Sequence, residues 1–389
     1  MKPDTSSPRS AILGSGKIRR IIVKLGSGTL TDESLGLRER TIRSLAAQVA
    51  RIRESRGIQV VVVTSGAIAA GRKKLGMVER PRTIALKQAA AAVGQTTLMR
   101  AYERAFEKRG IKVGQLLLTH EDFGNRERYL NAKNTLEALL SHGIVPIINE
   151  NDTVATEEIR LGDNDHLAAL VTQLIGADLL LLLTDSDGLY TRDPHRYPDA
   201  RRIPLVVKVD EELVRSAGSI RGGSVGIGGM GSKLLAARLV SDWGTPVVIA
   251  GGLSGRSILD VLAGKDTGTL FLPRGTARAR RRKLWIAHAM QSHGTITVDD
   301  GAKNVLMEGG KSLLPAGVVD VSGMFRKGDA VSICDRRGRV FARGITAWDS
   351  EQVERGKGRK SAEVRAILGE DIPAEMVHRD NLTILQGAR

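Results

Sequence analysis

The chain has little of what several function classes require. A single cysteine, Cys334, occurs in 389 residues. That excludes an internal disulfide and a cysteine-based zinc site, in keeping with a reducing compartment. Cys334 stands in the apolar run AVSIC with no histidine beside it, which predicts a buried structural thiol rather than a nucleophile. Aromatic residues make up 3%, and none falls within the basic segment 274–283, so a stacking platform for single-stranded nucleic acid is poorly supported. No apolar run approaches the roughly 20 residues that span a bilayer. The amino-terminal MKPDTSSPRS lacks the apolar centre of a signal peptide. A cytoplasmic protein without a membrane partner is expected.

What is present is an ordinary globular composition, 41% hydrophobic and 26% charged, long enough for two or three domains. The 59 Lys+Arg against 43 Asp+Glu give +16, which suits polyanions or the steering of small anionic substrates. Arg274, Arg278, Arg280, Arg281, Arg282 and Lys283 cluster where no acidic residue occurs between Asp266 and Asp299. This reads as a solvated linker in preference to a nucleic-acid patch. Residues 1–17, rich in Ser, Pro and Gly, read as a flexible extension, 18–273 as the main domain, 274–293 as the linker and 294–389 as a small β-rich domain and tail.

Within 18–273 short β-branched runs alternate with longer helix formers. RIIVKLG (20–26), IQVVVVTSG (58–66), IKVGQLLLT (111–119), IVPIINE (144–150), DLLLLLTD (178–185) and TPVVIAGG (245–252) are nearly continuous in apolar residues, as strands buried on both faces are. Between them the stretches 41–57, 83–110 and 131–143 predict helices ending near glycines. The fold class is α/β, a parallel sheet with helices on both faces. In such sheets ligands bind beyond the carboxyl ends of the strands, so the loops there should carry the chemistry. After the basic segment, GTITVDDG, AVSICDRRG and RVFARGITAW alternate like short strands, with one helix over 361–369.

Several loops stand out. Lys24 precedes a Gly-Ser-Gly-Thr turn whose amides could cradle a phosphate, or which could be a plain strand-to-helix turn. Thr64-Ser65-Gly66 follows the second strand with the same character. The run from Gly222 to Lys233 contains G-x-G-x-x-G at Gly226, Gly228 and Gly231, but the dinucleotide fingerprint needs a strand directly before it, and RSAGSIRGG is not one. The better reading is a flexible, exposed anion-binding loop with Lys233 at the start of a helix. Asn149, Glu150, Asn151 and Asp152 follow the fourth strand, and Asp163, Asn164 and Asp165 open a helix. Such groups can hold an ammonium, orient lysines or bind Mg²⁺ through water, and one of the latter three could serve as an N-cap. His166 has no second histidine at ligand spacing and reads as a first-turn residue. Thr184 and Asp185 follow the fifth strand. Two lysines, several amide-rich loops and no nucleophile constellation point to phosphoryl transfer by positioning and electrostatics. A carboxylate acceptor, already ionised at neutral pH, needs no general base.

VKLGSGTL, VVVTSGAIAAGR, LKQAAAAVGQ, RERYLNAKNTLEALL, IVPIINENDTVAT, GDNDHLAAL, LLLLTDSDGLYTRDP and GIGGMGSKLLAA together resemble the amino acid kinase family, and specifically its members that phosphorylate glutamate. GTITVDDGA, SLLPAGV and VSGMFRKGDAV resemble a PUA domain. The resemblance implies transfer of the γ-phosphoryl of ATP to the side-chain carboxylate of L-glutamate on the route to proline, with Mg²⁺. It implies Lys24 and Lys233 as the phosphoryl-neutralising lysines and Asp165 as the acid that orients them. Ser65, Asp152 and Asn164 fall at glutamate positions, with Asp163 and Asn149 nearby. Lys24, Thr184, Asp185 and the loop Ile227, Gly228, Gly229, Met230, Gly231, Ser232, Lys233 fall at the ATP site. Feedback by proline, a homodimer or homotetramer, and a reductase that receives the glutamyl phosphate are further implications. Two other readings stand beside this one: a kinase for another small carboxylate, such as aspartate or N-acetylglutamate, and an RNA-binding protein acting through the PUA-like domain.

Overall fold

The alternation of apolar runs and helix formers resolves into one large sheet and one small one. The computed structural model describes residues 8–32, 36–77, 79, 81–154, 164–194, 196–219, 229–274, 292–308, 310–369 and 372–385. The chain divides into a unit of 1–119 with 132–275 and a unit of 120–131 with 276–389.

In the first unit the strands are β1 (Arg20–Leu25), β2 (Thr31–Asp32), β3 (Gly36–Leu37), β4 (Gln59–Val63), β5 (Val113–Leu118), β6 (Val145–Glu150), β7 (Leu179–Thr184), β8 (Leu205–Val206), β9 (Val247–Gly251) and β10 (Thr269–Phe271). All six runs expected to be strands are strands. Eight of the ten form one sheet in the order β5-β6-β4-β1-β7-β9-β10-β8. It is parallel except where β10 runs antiparallel to β9. The short β2–β3 hairpin, β8 and β10 were not legible, because two- and three-residue strands have no measurable period.

The helices bearing on function are α1 (Pro8–Leu13), α2 (Ser27–Leu30), α3 (Glu39–Arg56), α4 (Ala67–Lys74), α5 (Ile84–Glu107), α6 (His120–Gly124), α7 (Arg126–Ser141), α8 (Asn164–Leu174), α9 (Glu211–Ser219), α10 (Met230–Asp242) and α11 (Ser257–Leu262). On one face Ile21, Val23 and Leu25 join Val60, Val62, Leu181 and Val248 in a core with α3, α5 and α11. Alternation turns Ile22 and Lys24 to the opposite face, where α8 packs against β1 and α10. The stretch expected as a loose extension is structured from Pro8 onward. Leu13 is buried, and the Arg9 guanidinium donates to the carbonyls of Thr267 at 2.7 Å, Pro204 at 2.8 Å and Gly268 at 3.0 Å. A short polar sequence gives no periodic sign of such long-range anchoring.

The second unit carries a five-stranded sheet, β11 (Ser292–Val298), β12 (Val318–Ser322), β13 (Ala330–Cys334), β14 (Val340–Ile345) and β15 (Leu382–Ile384), in the order β12-β11-β13-β14-β15. Its core gathers Ile296, Ile333, Phe341, Trp348 and Met376. The Trp348 indole donates to the Pro373 carbonyl at 2.9 Å, which satisfies its one polar atom inside the core. Cys334 is buried, as its apolar run predicted. Besides the expected helix, found at Ser361–Leu368, the unit has helices at Asp300–Glu308 and Ser350–Gly356. The latter opens on a capping box between Asp349 and Gln352, a sequence signal that was present and unread. The basic run from Arg278 to Lys283 lies outside the described residues.

Candidate active site

Lys24 is the penultimate residue of β1, and Asp165 and Lys233 lie in the first turns of α8 and α10. These positions place three charged side chains at the carboxyl edge of the central strand, all buried: Lys24 is 1% exposed, Asp165 0% and Lys233 3%. The Lys24 ammonium stands 2.5 Å from Asp165 Oδ1, and that of Lys233 stands 3.1 Å from Oδ2. The Ser232 hydroxyl donates to the same Oδ2 at 2.8 Å. Burial by itself would raise the Asp165 carboxyl. The two ammoniums, with hydrogen bonds from Lys24 and Ser232, win and hold it well below the usual carboxylate range. The triad therefore carries one net positive charge, at the positive ends of two helices. Such a place attracts a phosphoryl group.

Beside the triad, Asn164 ties two loops together: its Nδ2 donates to Ser65 Oγ at 3.0 Å and its Oδ1 accepts from the Glu150 amide at 3.3 Å. Ser65 is followed by Gly66 at φ 101°, a left-handed conformation that glycine adopts without strain. Thr64, just before it, bonds the Tyr102 hydroxyl at 2.8 Å; burial holds that phenol far above its ordinary range, so it stays neutral. In the turn after β6, burial pushes the Asp152 carboxyl up to about 6. On the other side of β1, Thr184 ends β7 and donates to Asp185 Oδ1 at 2.9 Å. A Cβ on Gly28 would come within 3.3 Å of Asp185 Oδ2, so the β1 and β7 loops lie side by side. Among the described residues no group of three or more His, Cys, Asp or Glu side chains could hold a metal ion.

The model of the amino acid kinase family matches residues 19–251. The chain belongs to the amino acid kinase family. The model of the PUA domain matches residues 294–368, so the second unit contains a PUA domain. Among curated relatives, "Glutamate 5-kinase" of Geobacter sulfurreducens is 51% identical over 97% of this chain and 100% of its own length. Proteins of the same name from Citrifermentans bemidjiense and Moorella thermoacetica are 50% and 48% identical, over 95% and 97% of this chain and 98% and 99% of theirs.

Placed on the family's fold, the residues singled out in the sequence separate into groups. Lys24, Asp165, Ser232 and Lys233 are in direct contact. Ser65 and Asn164 form a second contact pair, one residue from Asp165. Thr184 and Asp185 sit at the β7 edge. Gly229 is the N-cap of α10, which begins at Met230 and Gly231. Asp163, Ile227 and Gly228 lie outside the described residues. One expectation is corrected: Lys233 is not on an exposed loop but buried in α10, because its ammonium is drawn inward by Asp165. His166 lies in the first turn of α8, as expected. Two neighbours of the site went unnoticed, Tyr102 and Gln95. Both sit on the long α5, and Gln95 accepts from Asn149 Nδ2 at 2.9 Å. Their only sequence sign is polarity inside an alanine-rich helix.

Proposed function

We infer that the chain transfers the γ-phosphoryl of ATP to the side-chain carboxylate of L-glutamate, forming L-glutamyl 5-phosphate in the first step of proline biosynthesis from glutamate. The observation that carries this reading is the buried Lys24–Asp165–Lys233 triad at two helix N-termini, next to the Ser65–Asn164 pair. A glutamate side-chain oxygen, already ionised, attacks Pγ as the bond from Pγ to the β–γ bridging oxygen breaks; that oxygen keeps the electron pair and leaves on ADP. Lys24 and Lys233 neutralise charge on the transferring group, and Asp165 fixes their positions before it arrives. Ser65, Asn164 and Asp152 hold the amino acid. Thr184, Asp185 and the start of α10 hold the nucleotide. With Asp165 engaged by two lysines, Mg²⁺ suits the site as part of the MgATP substrate.

The test is Mg²⁺-dependent ADP release with L-glutamate, L-aspartate and N-acetyl-L-glutamate in parallel, with hydroxylamine to trap acyl phosphate. Hydroxamate from glutamate alone is expected. Hydroxamate from another acid would overturn the substrate but keep the chemistry. The PUA domain and the +16 balance support RNA as a further partner. Its binding should weaken with salt at a log–log slope of about −0.7 per contacted phosphate of a single strand; indifference to salt would refute it.

A further inference from the structure

At Gly94, α5 meets the start of α4 so closely that a Cβ there would collide with the Ala67 carbonyl oxygen. Gln95, the next residue, is thereby brought to the same end of the sheet as the Ser65–Gly66 turn. Its Oε1 accepts from Asn149 Nδ2 at 2.9 Å. The other halves of the two amides, Gln95 Nε2 and Asn149 Oδ1, are buried without a hydrogen-bond partner among the described residues. Asn149 is 1% exposed. A buried amide left so costs about 1–3 kcal/mol, and the cost falls twice at neighbouring atoms. The next residue along β6, Glu150, bonds Asn164, which bonds Ser65, so the pair adjoins the acceptor site.

We propose that Gln95 joins Asn149, which the family resemblance already sets beside the glutamate positions, in clamping the head group of the amino-acid substrate, Gln95 Nε2 donating to the α-carboxylate and Asn149 Oδ1 accepting from the α-ammonium. The proposal rests on the reading of the chain as a kinase for glutamate. One free donor beside one free acceptor complements a carboxylate and an ammonium on one carbon. A phosphate would use only the donor, and a simple dicarboxylate would leave Asn149 Oδ1 unmet. Gln95 thus acts as a specificity residue for α-amino acids, remote from the phosphoryl-transferring lysines.

The test compares wild type with Gln95→Met, which keeps length but removes both polar atoms, and with Gln95→Glu, which sets a second carboxylate against the substrate's. Gln95→Met should raise the KM for L-glutamate by about tenfold or more, the worth of a hydrogen bond to a charged group. The kcat and the KM for ATP should stay within about twofold, the split that uniform loss of substrate binding produces. Gln95→Glu should raise the glutamate KM further. An unchanged glutamate KM in both variants, an equal rise in both KM values, or loss of folded protein in both by circular dichroism would overturn the clamp. Failure of wild type to form hydroxamate from glutamate would instead overturn the kinase reading, which separates the two failures.

Discussion

Replacing Asp165 by asparagine removes one charge and almost no volume, which makes it a sharp test of the site's electrostatics. At an effective dielectric of about 20, its contacts of 2.5 and 3.1 Å with Lys24 and Lys233 correspond to gross attractions of about 7 and about 5 kcal/mol. Most of this offsets the desolvation of three buried charges. Removing one partner of such a group leaves uncompensated charge and costs about 3–5 kcal/mol. For a unit of this size that is a fall in Tm of roughly 10 °C, measurable by differential scanning fluorimetry at pH 7. The Asp165 carboxyl is held below its ordinary value of 3.8. Its stabilisation is therefore fully present above that value and is lost as pH falls through and below it, so the gap between wild type and Asp165→Asn should close in acid. ATP should raise the Tm of the variant more than that of wild type, because its phosphates supply the missing anion. Turnover should fall by at least about 100-fold as the lysines lose their fixed positions. A Tm at pH 7 indistinguishable from wild type, unmoved by pH, would refute the reasoning.

Three further outcomes follow from named contacts. Lys233→Met should lower kcat by about 10²–10³, with the fold retained because Lys24 still pairs Asp165; unaltered turnover in the hydroxamate assay would remove Lys233 from the mechanism. The Asp152 carboxyl, raised by burial to about 6, should lose its charge as pH drops through that value, so the KM for glutamate should climb below pH 6 in wild type but stay high and flat in Asp152→Asn. Because the folded state binds this proton more tightly than the unfolded one, ionisation above pH 6 is destabilising, and the variant should melt higher there; a lower melting point would contradict the burial argument. Gly94→Ala places a methyl against the Ala67 carbonyl and should cost about 1–3 kcal/mol while raising the glutamate KM through displacement of the Ser65 turn; normal stability by chemical denaturation would show that the α4–α5 crossing has room to give.

The sequence by itself determined the six long strands of the large sheet, because strands buried on both faces must be continuously apolar and therefore declare themselves. It also determined which loops share one edge of the sheet, since parallel strands place every following loop there. Lys24, Ser65, Asn164, Asp165 and Lys233 could be singled out one by one, and the family resemblance joined them. Only the tertiary structure decided that Asp165 lies between two lysines 141 and 68 residues away in the chain, and that Lys233 is buried rather than exposed. Contacts across such separations leave no periodic trace. Gln95 shows the limit most plainly: one glutamine in an alanine-rich helix has no local signature, and its role arises only because Gly71 of α4, whose added Cβ would collide with the Ala90 carbonyl, and Gly94 of α5 let the two helices cross closely enough to bring it to Asn149. The anchoring of α1 by Arg9, the antiparallel β10 and the short β8 were likewise settled by distant partners, whose hydrogen bonds depend on where the chain returns and not on its local composition.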